Sequence, residues 1–388
     1  MAIGLARTHP ARAAQELRLL VRGQWRNGMM PHMIYSPKFP YNLEAGLWGT
    51  SGLSPSTAST SGLTQPPMLA IAVERVAQAL PGPERAQFIH TMLPSIIRFH
   101  QWIYRERDPN HTGLASVIHS WECGLDDTPY WTEAMQHVPP VPWRWRWLRE
   151  FRPVRPEERA TPTDLQHMLG LAFFIKQCHY DSATVLARSS VVLQDLVFNS
   201  ILAAANESLE RLAESAGEEL PDTLRDRFAP TRRGLEDLWD HEAGAYFTRD
   251  AQTGRLLRMP TVATFMPLFA GTASPGRARH VRDSLHSTGS GFYTEYPLPS
   301  VPTTSQFFEP KRYWRGPVWI NMNWFVIQGL RRYGFTTEAN QLRTKTLELV
   351  GLSGFREYYD PLSGEGLGAT HFSWSAALTL DLLAQSDT

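Results

Sequence analysis

Cysteine is nearly absent. Cys123 and Cys178 are the only two in 388 residues, so at most one disulfide can form and a disulfide-stapled secreted scaffold is excluded. No stretch approaches the ~18 consecutive apolar residues that a membrane-spanning helix needs. An excess of either charge is missing too: 38 basic residues balance 38 acidic ones, which leaves no general attraction for nucleic acid or an anionic membrane. Residues 1–14 mix alanine and arginine without the basic-then-apolar order of an export signal, so the expected location is cytoplasmic. The 13 histidines show no His-Glu-x-x-His helix or paired spacing, which argues against a zinc enzyme. Asp108, Asn110 and Gly113 faintly resemble a calcium loop, but no acidic residue closes it. A glycine-rich phosphate cradle is lacking as well. No metal and no cofactor are expected.

What is plentiful is aromatic. The chain carries 13 Trp and 12 Tyr beside 29 Pro, which suits either a large core or a cleft lined with flat rings. A rule of roughly 150 residues per domain would divide the chain into two or three, although repeat-built helical toroids of this length stand as one domain. Apolar residues recur at helical spacing in Ala11–Arg22, Pro66–Leu80, Ala86–Arg105, Asp164–Tyr180, Val191–Ala216 and Leu220–Trp239. The same holds for Thr261–Phe269, Pro275–His286, Pro317–Tyr333, Thr337–Val350 and Phe372–Ser386. Strand signals are short, at Ala245–Arg249 and Gly291–Tyr296. Brief connections alternate with long ones rich in Gly, Pro and aromatics, such as Asn27–Gln65 and Val138–Thr163. About a dozen helices joined in this way predict an all-α protein, with α-hairpins closing into a ring and the long loops gathered on one face. The expected organisation is one domain over residues 1–388. An open helical solenoid is the alternative.

Three blocks look chemical. In Ser120–Trp131, three acidic residues stand between large aromatics and a glycine. Gly124 permits a turn, and Pro129 starts a helix that Asp127 or Thr128 can cap. A carboxylate pressed against indole loses hydration and holds its proton more tightly, as a general acid must. A cap or a metal loop would use the same residues. The second block, Phe355–Glu365, places Glu357 among tyrosines. Two carboxylates on separate loops of one face are the minimum apparatus for glycoside hydrolysis. The third, Arg312–Trp319, offers Trp314 and Trp319 as sugar platforms or as core.

These blocks, WECGLDDTPYW, YWRGPVW and FREYYDPLSGEG in that order, resemble glycoside hydrolase family 63, and within it the bacterial mannosylglycerate and glucosylglycerate hydrolases. Gly23–His32, Thr60–Pro67 and His371–Leu378 share the resemblance, which therefore covers nearly the whole chain. It implies an (α/α)6 toroid and an inverting α-glycoside hydrolase for a small glucosyl- or mannosyl-containing substrate, a glycosylglycerate or a short α-glucoside. On this resemblance Asp126 is the general acid and Glu357 the general base. Gln65, Trp121, Gly124, Tyr313, Trp314 and Trp319 fall on positions that line the sugar subsite. Glu122 binds a sugar hydroxyl or orients a neighbour, and Arg159 meets the substrate carboxylate. The chain departs from the family in having Cys123 where Ser is usual and Asp127 where Asn is usual. A second carboxylate beside Asp126 should raise the pKa of one of the two and couple their titrations. Related enzymes also precede Ala2–Ala6 with a Trp-Asp-containing segment that grips the sugar, so the first helix is expected to be incomplete.

Other readings carry their own signals. Arg144, Arg146, Arg149, Arg152, Arg155 and Arg159 alternate with Trp143, Trp145 and Trp147, a composition that single-stranded nucleic-acid grooves share. No basic stripe elsewhere supports it; a solvated face or a lid over the sugar site fits better. A carbohydrate-binding protein of the same fold without turnover is the alternative of another class. An isomerase on this fold would use histidines, and neither central motif contains one. The expected partner is a small carbohydrate, with no nucleic acid and no membrane; the sequence leaves the oligomeric state open.

Overall fold

The computed structural model describes residues 1–38, 45–50, 52–141 and 154–385, and helices dominate them. In chain order these are α1 (Ala2–Ala6), α2 (Pro10–Val21), α3 (Ala45–Trp48), α4 (Leu69–Ala79), α5 (Gly82–Arg107) and α6 (Ser120–Cys123). Next come α7 (Pro129–Met135), α8 (Pro162–Gln177), α9 (Ser182–Arg188), α10 (Leu196–Ala216), α11 (Asp222–Arg225) and α12 (Phe228–Glu236). The last five are α13 (Met266–Ala270), α14 (Pro275–Ser284), α15 (Ile320–Arg332), α16 (Thr336–Ser353) and α17 (Ser373–Leu383). Local chemistry sets their ends. At α8 the Thr161 hydroxyl accepts the Asp164 N–H while the Asp164 carboxylate reaches back to Thr161, with Pro162 in the first turn. Asp195 caps α10, and Gly217 ends it in the left-handed region.

Six helices form a closed circuit of packing: α1 lies against α4, α4 against α10, α10 against α13, α13 against α15, α15 against α17, and α17 against α1. Flanking helices add a second set of contacts, α2 and α5 on α4, α12 on α10, and α16 on α15. The circuit is tight at two glycines. A Cβ on Gly4 would meet the Ala377 carbonyl oxygen at 2.0 Å, and one on Gly329 would meet the Phe269 backbone nitrogen at 2.6 Å. Apolar side chains from all six helices fill the interior, among them Val73, Leu202, Leu268, Val326 and Leu382. Each such side chain contributes about 1.5–3 kcal/mol when fully buried.

Three two-stranded antiparallel ladders punctuate the helices: β1 (Leu193–Gln194) with β4 (Arg249–Asp250), β2 (Trp239–Asp240) with β3 (Ala245–Tyr246), and β5 (Arg356–Tyr359) with β6 (Gly366–Thr370). Several sequence expectations change here. Val191–Asp195 is extended rather than helical, because Asp195 caps α10 instead of continuing it. The expected helix Leu220–Trp239 breaks into α11 and α12, and Trp239 belongs to β2. Gly291–Tyr296 is no strand: Gly291 is left-handed, and its carbonyl accepts the Thr303 N–H across a loop. Helix α15 starts at Ile320, not Pro317, since the Val318 N–H and C=O both pair with Tyr359. Both cysteines are free and buried. Among the described residues no helix is long and apolar enough to cross a membrane.

Candidate active site

The first carboxylates sit at the corner between α6 and α7. Gly124 ends α6 with φ +82°, and Pro129 begins α7. The corner is tied from within by Cys123: its thiol donates to the Ser120 carbonyl, and its sulfur accepts the Leu125 N–H and the Trp131 indole N–H. His119 is buried and held neutral, its pKa lowered to about 3 by burial. Its Nε2 faces the Met168 carbonyl, and its Nδ1 accepts the Trp121 N–H. Between glycine and proline, Asp126 is half-buried while Asp127 is wholly enclosed.

Residues 312–319 close over this corner. The Tyr313 hydroxyl donates to Asp126 Oδ2 at 2.9 Å, and the Trp314 N–H donates to Asp127 Oδ1 at 3.0 Å. Tyr313 occupies φ +31°, unusual for a bulky side chain. Burial, with the charges of Asp126 and Glu357 behind it, pushes the Tyr313 hydroxyl well above its ordinary pKa, so it remains a donor. Arg315 donates to the Asp127 carbonyl and to the Thr132 hydroxyl. Asp127 is pushed up to about 7, first by burial and secondarily by the charges of Asp126 and Asp164, against the opposing pull of Arg315 and the Trp314 N–H. Of the two adjacent carboxyl groups Asp127 has a raised pKa, and burial rather than the neighbouring charge is its main cause.

Glu357 belongs to strand β5 rather than to a loop. Its register with β6 shifts between Arg356 and Tyr358, where Gly368 and Ala369 oppose Glu357 alone. Gly368 adopts φ +66°, a conformation that turns the Ala369 N–H onto Glu357 Oε2 at 2.9 Å. Arg159 binds both oxygens of Glu357, at 2.8 and 2.6 Å. Its guanidinium also lies 5.2 Å from the centroid of the Tyr313 ring, within cation–π range. Tyr313 is therefore common to both carboxylates: its hydroxyl meets Asp126, and its ring meets the arginine that holds Glu357.

The remaining candidates divide into two groups. Gln65 lies against the same corner, its amide donating to the Trp121 carbonyl. Trp121 is half-buried, 4.6 Å from the His119 ring and 6.3 Å from Trp48, and Gly124 supplies the turn. Glu122 requires a correction, because its side chain is only 1% exposed and has no surface to offer a sugar. Arg107 grips both of its oxygens at 2.9 and 2.6 Å, and the Ile118 N–H donates to it as well. These contacts fasten the segment that carries Trp121. Trp314 and Trp319 are corrected too, since they stack on each other at 3.8 Å with 1% and 2% exposure. Tyr358 covers Trp319 from another side. They support Tyr313 from beneath and present no open platform. Arg107, His119, Glu158 and Arg315 were missed from the sequence. Glu158 receives the Gly368 N–H on its carboxylate, and its carbonyl accepts both the Tyr358 hydroxyl and the Tyr313 N–H. Of the Arg- and Trp-rich segment, Trp143, Arg144, Trp145, Arg146, Trp147, Arg149 and Arg152 lie outside the described residues.

Residues 1–375 match the profile of the mannosylglycerate hydrolase MGH1-like glycoside hydrolase domain. The chain belongs to this glycoside hydrolase family. It is 39% identical to the mannosylglycerate hydrolase of Thermus thermophilus, over 98% of this chain and 91% of that protein. It is 31% identical to the glucosylglycerate hydrolase of Mycolicibacterium hassiacum, over 99% of this chain and 90% of the relative. The crystal structure of a family 63 mannosylglycerate hydrolase from Thermus thermophilus with Tris and D-glycerate superposes with a TM-score of 0.90, covering 99% of this chain and 91% of that one at 39% identity. Neutral trehalase from Saccharomyces cerevisiae shares the fold alone, with a TM-score of 0.56 at 16% identity over 99% of this chain and 70% of the trehalase. This member of the MGH1-like family is a glycoside hydrolase.

Proposed function

We propose that the chain hydrolyses an α-glycoside of glycerate, mannosylglycerate or glucosylglycerate, by a metal-independent inverting mechanism within a single (α/α)6 toroidal domain. One observation carries the reading: Asp126 and Glu357 converge on the Tyr313–Arg159 pair from opposite ends of the sequence. The closed circuit of six helices supports an inner ring, and the flanking helices support an outer one. Asp126, half-buried and hydrogen-bonded by Tyr313, gives its proton to the glycosidic oxygen. Glu357 takes a proton from the attacking water. Arg159 binds both oxygens of its carboxylate and the Ala369 N–H binds Oε2 again, which leaves acceptor capacity on Oε1 for that proton. Inversion requires room for water, with the two carboxyl groups roughly 6.5–9.5 Å apart. A guanidinium has about five N–H donors, so Arg159 can hold Glu357 and still bind a substrate carboxylate.

The names of the relatives favour glycerate as the aglycone. Incubating the purified chain with mannosylglycerate, glucosylglycerate and trehalose, and following free hexose, tests the proposal. Release from a glycosylglycerate and not from trehalose is expected. Thermal stabilisation by these compounds without any release would replace the hydrolase with a carbohydrate-binding protein.

A further inference from the structure

Glu158 is a buried acidic residue that the mechanism above does not use, and it lies where the two halves of the site join. It ends a single 3-10 turn, Pro156–Glu158, after which Arg159 is extended. The backbone of this pair is fastened to the segment that carries Tyr313. The Glu158 carbonyl accepts the Tyr313 N–H at 3.3 Å and also the Tyr358 hydroxyl, and the Arg159 carbonyl accepts an Arg312 N–H at 2.9 Å. The side chains of the pair bind the β5–β6 hairpin instead. Arg159 takes both oxygens of Glu357, and Glu158 Oε2 accepts the Gly368 N–H at 2.8 Å. Consecutive N–H groups of β6 are thus divided between two carboxylates, that of Gly368 going to Glu158 and that of Ala369 to Glu357. Arg155 stands 3.9 Å from the other Glu158 oxygen on a largely exposed side chain, a weak partner by comparison.

Gly368 makes the bond from Glu158 consequential. Lacking a Cβ, glycine enters the left-handed region about as readily as the ordinary one, so its own sterics do not hold φ at +66°. A contact from outside has to. Hydrogen bonds to a carboxylate are about twice as strong as neutral ones, and this one anchors the peptide on one side of Gly368, while the Ala369 N–H on the other side meets Glu357. We propose, on the reading of Glu357 as the general base, that Glu158 is a positioning residue for it. By holding the Gly368 N–H, Glu158 sets the turn that aims the Ala369 N–H at Glu357, and its carbonyl ties the same hairpin to the Tyr313 segment. With its side chain only 7% exposed, it touches no substrate and moves no proton.

Glu158→Met is close in size and removes the acceptor. Its kcat should fall by about 10²-fold, the cost of about 1 Å of misplacement in a catalytic group. KM should stay unchanged, because no substrate contact is lost. The fall should be equal for unactivated glycosides and for aryl glycosides with acidic phenols, since the base serves both. Glu158→Gln, which keeps an acceptor for the Gly368 N–H, should recover most of the rate. If Glu158→Met does not fold, Glu158→Asp takes its place, its side chain one methylene too short for Gly368, and the same fall is expected. A role in stability alone would lower the unfolding temperature and leave kcat intact below it, which overturns the proposal. A loss confined to unactivated glycosides also overturns it, because that pattern belongs to the acid, as does a Glu158→Gln variant no faster than Glu158→Met. Failure of the underlying reading shows elsewhere, as undiminished turnover of Glu357→Gln.

Discussion

On the proposed roles of Asp126 and Glu357, their substitutions divide by leaving group. Asp126→Asn should slow unactivated glycosides by about 10²–10⁴-fold. Aryl glycosides with acidic phenols should suffer less, because their oxygen barely needs a proton. Glu357→Gln should slow both classes alike, since water attacks in each; steady-state kinetics on the paired substrates checks the pattern. Arg159 has two parts in this scheme, and its substitution separates them. Because it grips Glu357, Arg159→Ala should lower kcat on every substrate. An additional rise in KM for glycosylglycerates over neutral glucosides would mark the carboxylate contact, and equal KM changes would remove it. Asp127 also links pH to stability. Its pKa rises from 3.8 in the unfolded chain to about 7 in the fold, so the folded state binds the extra proton. The resulting penalty is absent below the unfolded value, grows as pH rises between the two, and is complete above neutrality, at about 4 kcal/mol at most. Asp127→Asn should therefore be more stable than the unmodified chain at pH 8 and gain little at pH 4, by denaturant titration. A gain of the same size at both pH values would contradict this.

At the scale of the element, the β5–β6 hairpin is the part that cannot be loosened. Gly368 is left-handed, and a Cβ there would stand 2.7 Å from Glu357 Oε2 and 2.8 Å from Glu357 Cβ. Gly368→Ala is expected to push the carboxylate off Arg159. A displacement of about 1 Å in a catalytic group costs about 10²-fold, and the backbone strain adds about 1–3 kcal/mol of destabilisation. Measuring kcat/KM beside thermal unfolding tests this; an unchanged rate would mean that the bulge does not aim Glu357. The hairpin was the element least visible in the sequence. Arg356–Tyr359 and Gly366–Thr370 carry no clean alternation, and a one-residue register shift leaves no compositional trace. The α6–α7 corner was legible by contrast, since Gly124 and Pro129 bracket it with residues whose backbone preferences are nearly obligatory.

On the proposed mechanism the whole molecule decides stereochemistry, because only folding brings residues 126 and 357 to the Tyr313–Arg159 pair. An inverting enzyme acting on an α-glycoside releases the β-sugar first. Proton NMR of fresh product should show the β-anomer before mutarotation, and α-sugar appearing first would require a nucleophilic carboxylate instead. The sequence by itself determined the long helices, since apolar spacing and caps act within a few residues of one another. It also determined the family, because the motifs around Asp126, Tyr313 and Glu357 are contiguous strings. Tertiary structure alone decided which of the polar and aromatic side chains are buried and which stay open. Glu122 and Trp314 look chemical in sequence, yet Arg107 and Trp319 bury them from places remote in the chain or across a turn. Burial and charge pairing are sums over neighbours, and for these side chains the neighbours come from separate segments that only the closed packing of helices brings together.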